Sequence, residues 1–469
     1  IGFTLLIGFI IHYLSQYIWA IKKYPPGPKP LPILGNILLF RNYKKHWNHK
    51  LIIWVGPWPC VIVCDLDIAK EAFSKVEFSG RPPSELGDIF TNDKHSEIAF
   101  ADYGKTWEAL RKVGHSAIRK FSKTSEMSQL VNDNVSEMLD LIKDREGIDK
   151  PFHAEPYLYN LVSNIHLAAM YSNKVKLSEA EMEKFKFVSY AFSSDLGDRI
   201  FRYEFVPYMK YFMANPFDTY RKYFAELHEF SANHFQRHTE TYDKENRRNF
   251  CDLLIGAKHE AEANEKVSAQ HLTDINMATT LLDIFLTSVD VTHMLLWIIL
   301  LVAYYPDVQQ KIRDEIRNEL GDKPVTGDDR HKLHYTMAYV YEVFRYRNSA
   351  PIGFFHKTLK DCKLDTCVVV HQYSILMDNN YWDKPDEFTP GRFLDDQGKL
   401  IAVKPAAFIP FGYGRRVCIG EQMAYNNLFV TLVRLLQLTS HYTIEVDNKT
   451  ASTIEVNPIN VWIQSPPIA

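Results

Sequence analysis

Cys418 lies in the stretch Phe408-Ile-Pro-Phe-Gly-Tyr-Gly-Arg-Arg-Val-Cys-Ile-Gly-Glu421, between a glycine-loosened loop and the start of a helix. Gly412 and Gly414 admit backbone conformations closed to other residues, so the loop folds tightly and aims its amide N–H groups at the sulfur. From Ile419 to Ser440 there is no proline and no glycine beyond Gly420, which reads as a helix. Cys418 then sits at the positive end of that helix, where its thiol pKa is expected to fall. The thiolate is the form that ligates a metal, and Cys418 is the candidate ligand. Gly420 has no side chain to hold off a flat group, Phe411 is placed to cover the sulfur, and Arg416 to reach an anion. The bland alternative is an inert buried thiol in a glycine turn.

Three further constellations bear on chemistry. Trp107 and Arg111 are one helical turn apart, so an indole N–H and a guanidinium can converge on one anionic group; alone, the pair reads equally as a core tryptophan and a solvated arginine. The run Leu286-Thr-Ser-Val-Asp-Val-Thr-His293 sets Asp290 among small hydroxyl residues on a largely apolar helix, where an unpaired carboxylate is costly. Glu342 and Arg345 stand three residues apart and can pair on one face.

The elements that must position these residues follow from pattern. With 469 residues, 46% hydrophobic, the chain can bury a large core, and no linker, repeat or low-complexity tract divides it. A net charge of −3 argues against nucleic acid as a partner. The six cysteines form no disulfide framework, and Cys60-x3-Cys64 and Cys362-x4-Cys367 lack the histidines and paired spacing of a zinc site. Residues 1–21 are apolar and uncharged, long enough to span a bilayer, and Lys22 and Lys23 follow at once. Residues 22–36 hold five prolines between Tyr24 and Pro32, a stiff hinge. Residues 37–469 form the remaining domain. Leu51 to Cys64 predicts a hairpin, and the apolar spacing of Trp107, Leu110, Gly114, Ala117, Ile118 and Phe121 predicts a helix whose outer face carries Lys105, Lys112, Arg119, Lys120 and Lys123. Several helices are expected from Met127 to His271, with an aromatic middle, Phe185 to Tyr223, that either packs a core, roofs a greasy pocket or dips into a membrane. Leu272 to Tyr305 reads as one long helix ending before Pro306, and His441 to Glu455 as terminal strands.

The order Phe411-x-x-Gly414-x-Arg416-x-Cys418-x-Gly420 resembles the haem-binding signature of the cytochrome P-450 superfamily at every fixed position. The resemblance extends from Pro25 to about Ile463 and is closest to microsomal members. It implies a mainly α fold with a smaller β-rich region behind an N-terminal transmembrane anchor, and haem b held by a Cys418 thiolate whose electron donation favours O–O cleavage. Arg81, in Phe78-Ser-Gly-Arg81, and His356, in Pro351-Ile-Gly-Phe-Phe-His356, then resemble propionate ligands beside Trp107, Arg111 and Arg416, with Gly412 in the loop. Glu342, Arg345 and Arg392, in Phe388-Thr-Pro-Gly-Arg392-Phe, resemble a buried structural triad, with Gly391 where the family usually has a glutamate.

In the family the dioxygen site reads Ala or Gly, Gly, any residue, acid, Thr. Counting forward from Asp283 puts Asp290 at the acid and Val291 at the threonine; counting back from Pro306 puts Val289 and Asp290 there. Neither register leaves a threonine in place, and Thr292 or Thr287 is the candidate substitute through a water. The implied activity is insertion of one oxygen atom from O2 into a lipophilic small molecule (steroid, fatty acid, terpenoid or xenobiotic), with electrons from NADPH through a flavoprotein reductase at the endoplasmic reticulum membrane, catalytic domain on the cytoplasmic face. The alternatives are a haem-thiolate isomerase or dehydratase acting on lipid peroxides without O2 or reductase, and a haem sensor that catalyses nothing.

Overall fold

The structure, a computed structural model, describes residues 2–22, 27–31, 35–36, 51–55, 58–91, 96–147, 150–172, 175–190, 195–206, 209–360, 367–446 and 460–464. The first helices are α1 (Gly2–Lys22), α2 (Leu66–Ser74), α3 (Glu85–Phe90), α4 (Lys105–Phe121), α5 (Ser125–Arg145) and α6 (Ala154–Met170). There follow α7 (Glu179–Ser189), α8 (Asp195–Phe205), α9 (Phe217–Glu240), α10 (Phe250–Ala263), α11 (Asp274–Leu286) and α12 (Ser288–Tyr304). The last are α13 (Pro306–Glu319), α14 (His334–Tyr346), α15 (Gln372–Leu376) and α16 (Glu421–Leu438). Helix starts carry their own caps: Ser84, Thr124, Ser178, Asn249 and Thr273 each accept an amide N–H of the first turn.

The strands β1 (Leu51–Val55), β2 (Trp58–Val63), β4 (His356–Lys357) and β5 (Cys367–Val370) form one sheet in the order β1-β2-β5-β4. The expected hairpin is present, with Leu51 opposite Ile62, and β2 runs parallel to β5 with Cys60 opposite Cys367. A second sheet joins β3 (Phe152–His153), β7 (Asn460–Gln464) and β6 (Thr443–Val446). Of the strand reading from His441 to Glu455, β6 is present, and the part beyond residue 446 lies outside the described residues, as does much of the proline-rich hinge.

The main apolar core is built on α12, α14 and α16, with Leu295, Ile298, Leu301, Val343, Phe429 and Leu432 almost wholly removed from water, and a smaller one on the four-stranded sheet holds Ile53, Ile62 and Val369. Among the described residues the run Asp274–Tyr304 is long and apolar enough to cross a membrane. It is mostly buried within the domain, as a core helix must be. The single helix expected over it is two: Thr287 interrupts it, and α12 resumes at Ser288. Its hydroxyl donates to Ile284 C=O (2.7 Å) and that of Ser288 to Phe285 C=O (2.6 Å), so side chains occupy carbonyls on which a straight helix would hang its amides. Cys60, Cys64, Cys251, Cys367 and Cys418 are all free thiols.

Candidate active site

Gly412 and Gly414 both sit at φ 80° in the left-handed region. Their turn brings the chain back so that the Cys418 N–H donates to Phe411 C=O (3.0 Å) and the Val417 N–H to Gly414 C=O (3.1 Å). A side chain on Gly414 would run into the Phe73 carbonyl, so the loop is pressed onto α2. From the other side the Gly420 N–H points at Cys418 Sγ from 3.3 Å, and that sulfur lies 3.6 Å from where a Gly420 Cβ would stand. Phe411 packs on Phe344 and Tyr425, each ring 5.1 Å away.

The sulfur keeps open surface, yet the thiol pKa is raised, against expectation. Burial is the main cause; the Gly420 N–H pulls the other way, the Asp290 and Glu421 charges add to the rise, and Arg111 opposes it least. A helix end does not offset that desolvation, whereas a metal cation at the sulfur would.

Beside the thiol three guanidinium groups crowd together on backbone carbonyls. Arg416 donates to Ser79 O (2.9 Å), Ile98 O (3.3 Å) and Ala101 O (2.8 Å), with its Cζ 3.9 Å from the Trp107 ring centre. Arg81 donates to Ala99 O (2.9 Å) and Phe355 O (3.0 Å), and Arg111 to Val417 O. Burial, then mutual repulsion, pulls Arg416 down to about 9; burial brings Arg81 to about 10, partly countered by Glu97. His356 Nδ1 lies 2.7 Å from Phe78 O, and burial with the Arg81 charge drops it to about 3. The Trp107 indole N–H is taken by Ile98 O at 3.0 Å. The structure thus gathers Arg81, Trp107, Arg111, His356 and Arg416 around one spot next to Cys418. Cations held apart from water and met chiefly by carbonyls call for an anionic group, and a haem, with a metal for the sulfur and carboxylates for the guanidiniums, fits this donor set.

Under this set lies a pair the sequence did not disclose. Glu97 is fully buried and accepts the amides of Ala99, Phe100 (2.7 Å) and Ala101. Asp283, on α11, accepts the Ile98 N–H at 2.9 Å and bonds Glu97 itself. Burial pushes both carboxyls up, Asp283 far more because Glu97 keeps the amides and the arginines. Nothing in the local pattern links two acids so far apart in the chain.

On the α11–α12 segment Thr287 and Asp290 both keep exposed surface; the Asp290 charge is felt at Cys418, and the cost of desolvating its ionised form raises Asp290 to about 6. Thr292 is placed elsewhere: it is wholly buried, and its hydroxyl donates to Ser288 O at 2.7 Å. Behind the site, Glu342 and Arg345 are fully buried and joined by two bonds of 2.7 and 2.8 Å, and Arg392 reaches Glu342 at 3.1 Å. Thr389 N–H completes the carboxylate at 2.8 Å, so no glutamate is needed at Gly391.

The family model for Cytochrome P450 matches residues 25–468. Cytochrome P450 2U1 of Rattus norvegicus is 30% identical over 481 residues, spanning 93% of this chain and 89% of that protein. A steroid 17-alpha-hydroxylase/17,20 lyase of Rana dybowskii is 29% identical, spanning 94% and 90%. Cytochrome P450 2B2 of Rattus norvegicus is 28% identical, spanning 92% and 91%.

Proposed function

The chain belongs to the cytochrome P450 family, a haem-thiolate monooxygenase family, and from that premise we propose that it inserts one oxygen atom from O2 into a lipophilic small molecule with electrons from an NADPH-dependent flavoprotein reductase. The observation that carries this reading is the open sulfur of Cys418 set between the Asp290 face of α11–α12 and a cluster of buried cations. Haem, when bound, supplies the redox chemistry and the activation of O2.

The chain's own residues do the rest. Cys418 is the metal ligand, held by Gly412, Gly414 and the Gly420 amide, with Phe411 packed over the loop. Arg81, Arg111 and Arg416 would neutralise the carboxylates of the cofactor, with the Trp107 ring and the neutral His356 imidazole beside them. Asp290 passes protons, with a pKa of about 6 that suits exchange near neutrality. Glu342, Arg345 and Arg392 hold the frame. An aromatic cluster joins α3 to α9, with Phe90 4.6 Å from both Phe100 and Phe224, and Phe100 5.4 Å from Phe354. The substrate proposed is apolar, the class to which the steroid named for one relative belongs. Lys105, Lys112, Arg119 and Lys120 on α4, with Lys123 just past its end, are all exposed and offer an acidic reductase a docking face. Residues 1–21 anchor the protein in the endoplasmic reticulum membrane, with the domain on the cytoplasmic side.

The test is the carbon monoxide spectrum of the reduced, purified protein, together with product formation from a panel of steroids, fatty acids and terpenoids. A thiolate-type band, its loss in Cys418→Ser, and product that requires both NADPH and reductase are expected. A globin-like band overturns the reading. A second reading, isomerisation of lipid peroxides, draws on Val291, which brings no hydroxyl next to Asp290; turnover of a fatty acid hydroperoxide with no reductase and no O2 would favour it.

A further inference from the structure

The four-stranded sheet carries two cysteines in register. Cys60 on β2 stands opposite Cys367 on its parallel neighbour β5, and register partners on adjacent strands project to the same face. The alternation along each strand says which face that is. Cys60 and Ile62 pack with Cys367 and Val369 in the smaller core, whereas Val63, Val368 and Val370 turn to the main one. Neighbouring strands lie about 4.8 Å apart, inside the roughly 4.4–6.8 Å that a disulfide spans between its Cα atoms. Cys60 is 1% exposed, while Cys367, the first residue of β5, is only half-buried. Solvent therefore reaches the pair through Cys367. Burial raises both thiols, Cys60 the more, and the charge of Cys367 adds to the rise at Cys60. At Cys367 the rise is partly countered by Lys357, its register partner on β4, whose ammonium also bonds Asp102 at 2.6 Å. Across the sheet the row thus reads Cys60, Cys367, Lys357, with the more easily ionised thiol between the cation and the buried one.

We propose that Cys60 and Cys367 are a redox-sensitive pair, reduced at rest, that closes a reversible disulfide between β2 and β5 when a small-molecule disulfide is in excess. Cys367 loses its proton to water, and its thiolate attacks one sulfur of the small disulfide; that S–S bond breaks and one thiolate departs. Cys60, deprotonated in turn, attacks the Cys367 sulfur of the mixed disulfide, and the second thiolate leaves. The two protons end on the two departing thiols. The protein pair is oxidised by two electrons and the small disulfide reduced by two. The new bond ties together segments far apart in the chain, so it restricts the unfolded state strongly, while the strands it joins already stand in register. The pair lies apart from the Cys418 loop, and the inference does not depend on the monooxygenase reading.

The test incubates the haem-loaded full chain with oxidised glutathione, blocks the remaining thiols with an alkylating reagent and digests without reduction. A peptide joining Cys60 to Cys367, about 2 Da lighter than the two thiol peptides together, is expected, and dithiothreitol should abolish it. Its formation should raise the melting temperature by roughly 3 °C and leave the carbon monoxide band unchanged. In Cys60→Ala the reaction should stop at a glutathione adduct on Cys367, with no rise in melting temperature, which orders the two steps. In Cys367→Ala, Cys60 should take up no glutathione, since its route to solvent runs through Cys367. The wild-type peptide map needs no variant to fold. Absence of the Cys60–Cys367 peptide at every ratio of oxidised to reduced glutathione overturns the proposal. So does a peptide linking Cys367 to Cys362 or Cys64 in its place, or a melting temperature that rises as much in Cys60→Ala as in the wild type.

Discussion

Two carboxyl groups in contact cannot both ionise in a dry interior, and at Glu97 and Asp283 the surroundings decide which keeps the proton. Three backbone amides and the Arg416 charge favour the anion at Glu97, so the proton belongs to Asp283. The folded pKa of Asp283 is therefore above its unfolded value, and the folded protein holds a proton that the unfolded chain releases once pH passes the ordinary aspartate range. Stability falls as pH rises from that range through the folded pKa. Asp283→Asn gives Glu97 a permanent donor with nothing to titrate. We expect its melting temperature to exceed that of the wild type at about pH 8, with a flatter dependence between about pH 5 and pH 8. A lower melting temperature than wild type across that whole range would mean that Asp283 is ionised and held by a partner of its own. Glu97→Gln, by contrast, strips the arginines of their nearest buried counter-charge and should destabilise at every pH.

At the scale of elements, the cysteine loop and the long apolar helix behaved differently toward sequence reading. The loop's shape is local: glycines at positions 412 and 414 were legible as turn formers, and both hold a positive φ. Gly414→Ala should cost roughly 1–2 kcal/mol for the left-handed backbone alone, and in addition its methyl would meet the immobile Phe73 carbonyl. Loss of the carbon monoxide band is expected there, whereas Gly391→Ala, which meets open space, should retain it. A Gly414→Ala protein with a full band would show that the loop does not need this contact. The helix was read as continuous because its apolar spacing is continuous; Thr287 and Ser288 were visible as hydroxyls, but the partner that fixes Ser288 is His166, far back in the chain. The same limit hid Glu97 beneath Asp283. The helix-end argument for a lowered Cys418 pKa failed for a related reason, since spacing along the chain carries no measure of how deeply a group will be buried. Glu342 with Arg345 was legible because one helical turn sets the geometry of the pair, whereas Trp107 and Arg111, also a turn apart, give their N–H groups to different carbonyls, those of Ile98 and Val417.

Across the whole molecule, the domain that holds the site and the N-terminal helix meet the solvent in opposite ways. The core sequesters the apolar face of nearly every helix, yet on α1 Ile11, Ile18 and Trp19 are 62%, 52% and 58% exposed. The helix is not detached from the domain: the Tyr17 hydroxyl donates to Leu31 C=O at 3.0 Å, and its ring meets Trp54 at 6.2 Å, next to the edge of the four-stranded sheet. Phe212 and Tyr211, between α8 and α9, are 82% and 71% exposed, a second apolar outcrop. At about 0.8 kcal/mol per methylene buried, the uncharged face of a 21-residue helix outweighs two aromatic rings as a hold on lipid. Deletion of residues 1–22 is therefore expected to move the protein from the membrane pellet to the supernatant with its carbon monoxide band unchanged, because the contacts of Tyr17 with Leu31 and Trp54 are not with the Cys418 loop. Salt washing should not release the full chain, since apolar burial is not screened by ions. Retention of the truncated protein in the pellet would shift the anchor to Phe212 and Tyr211, and replacing both with serine in the truncated chain would then release it.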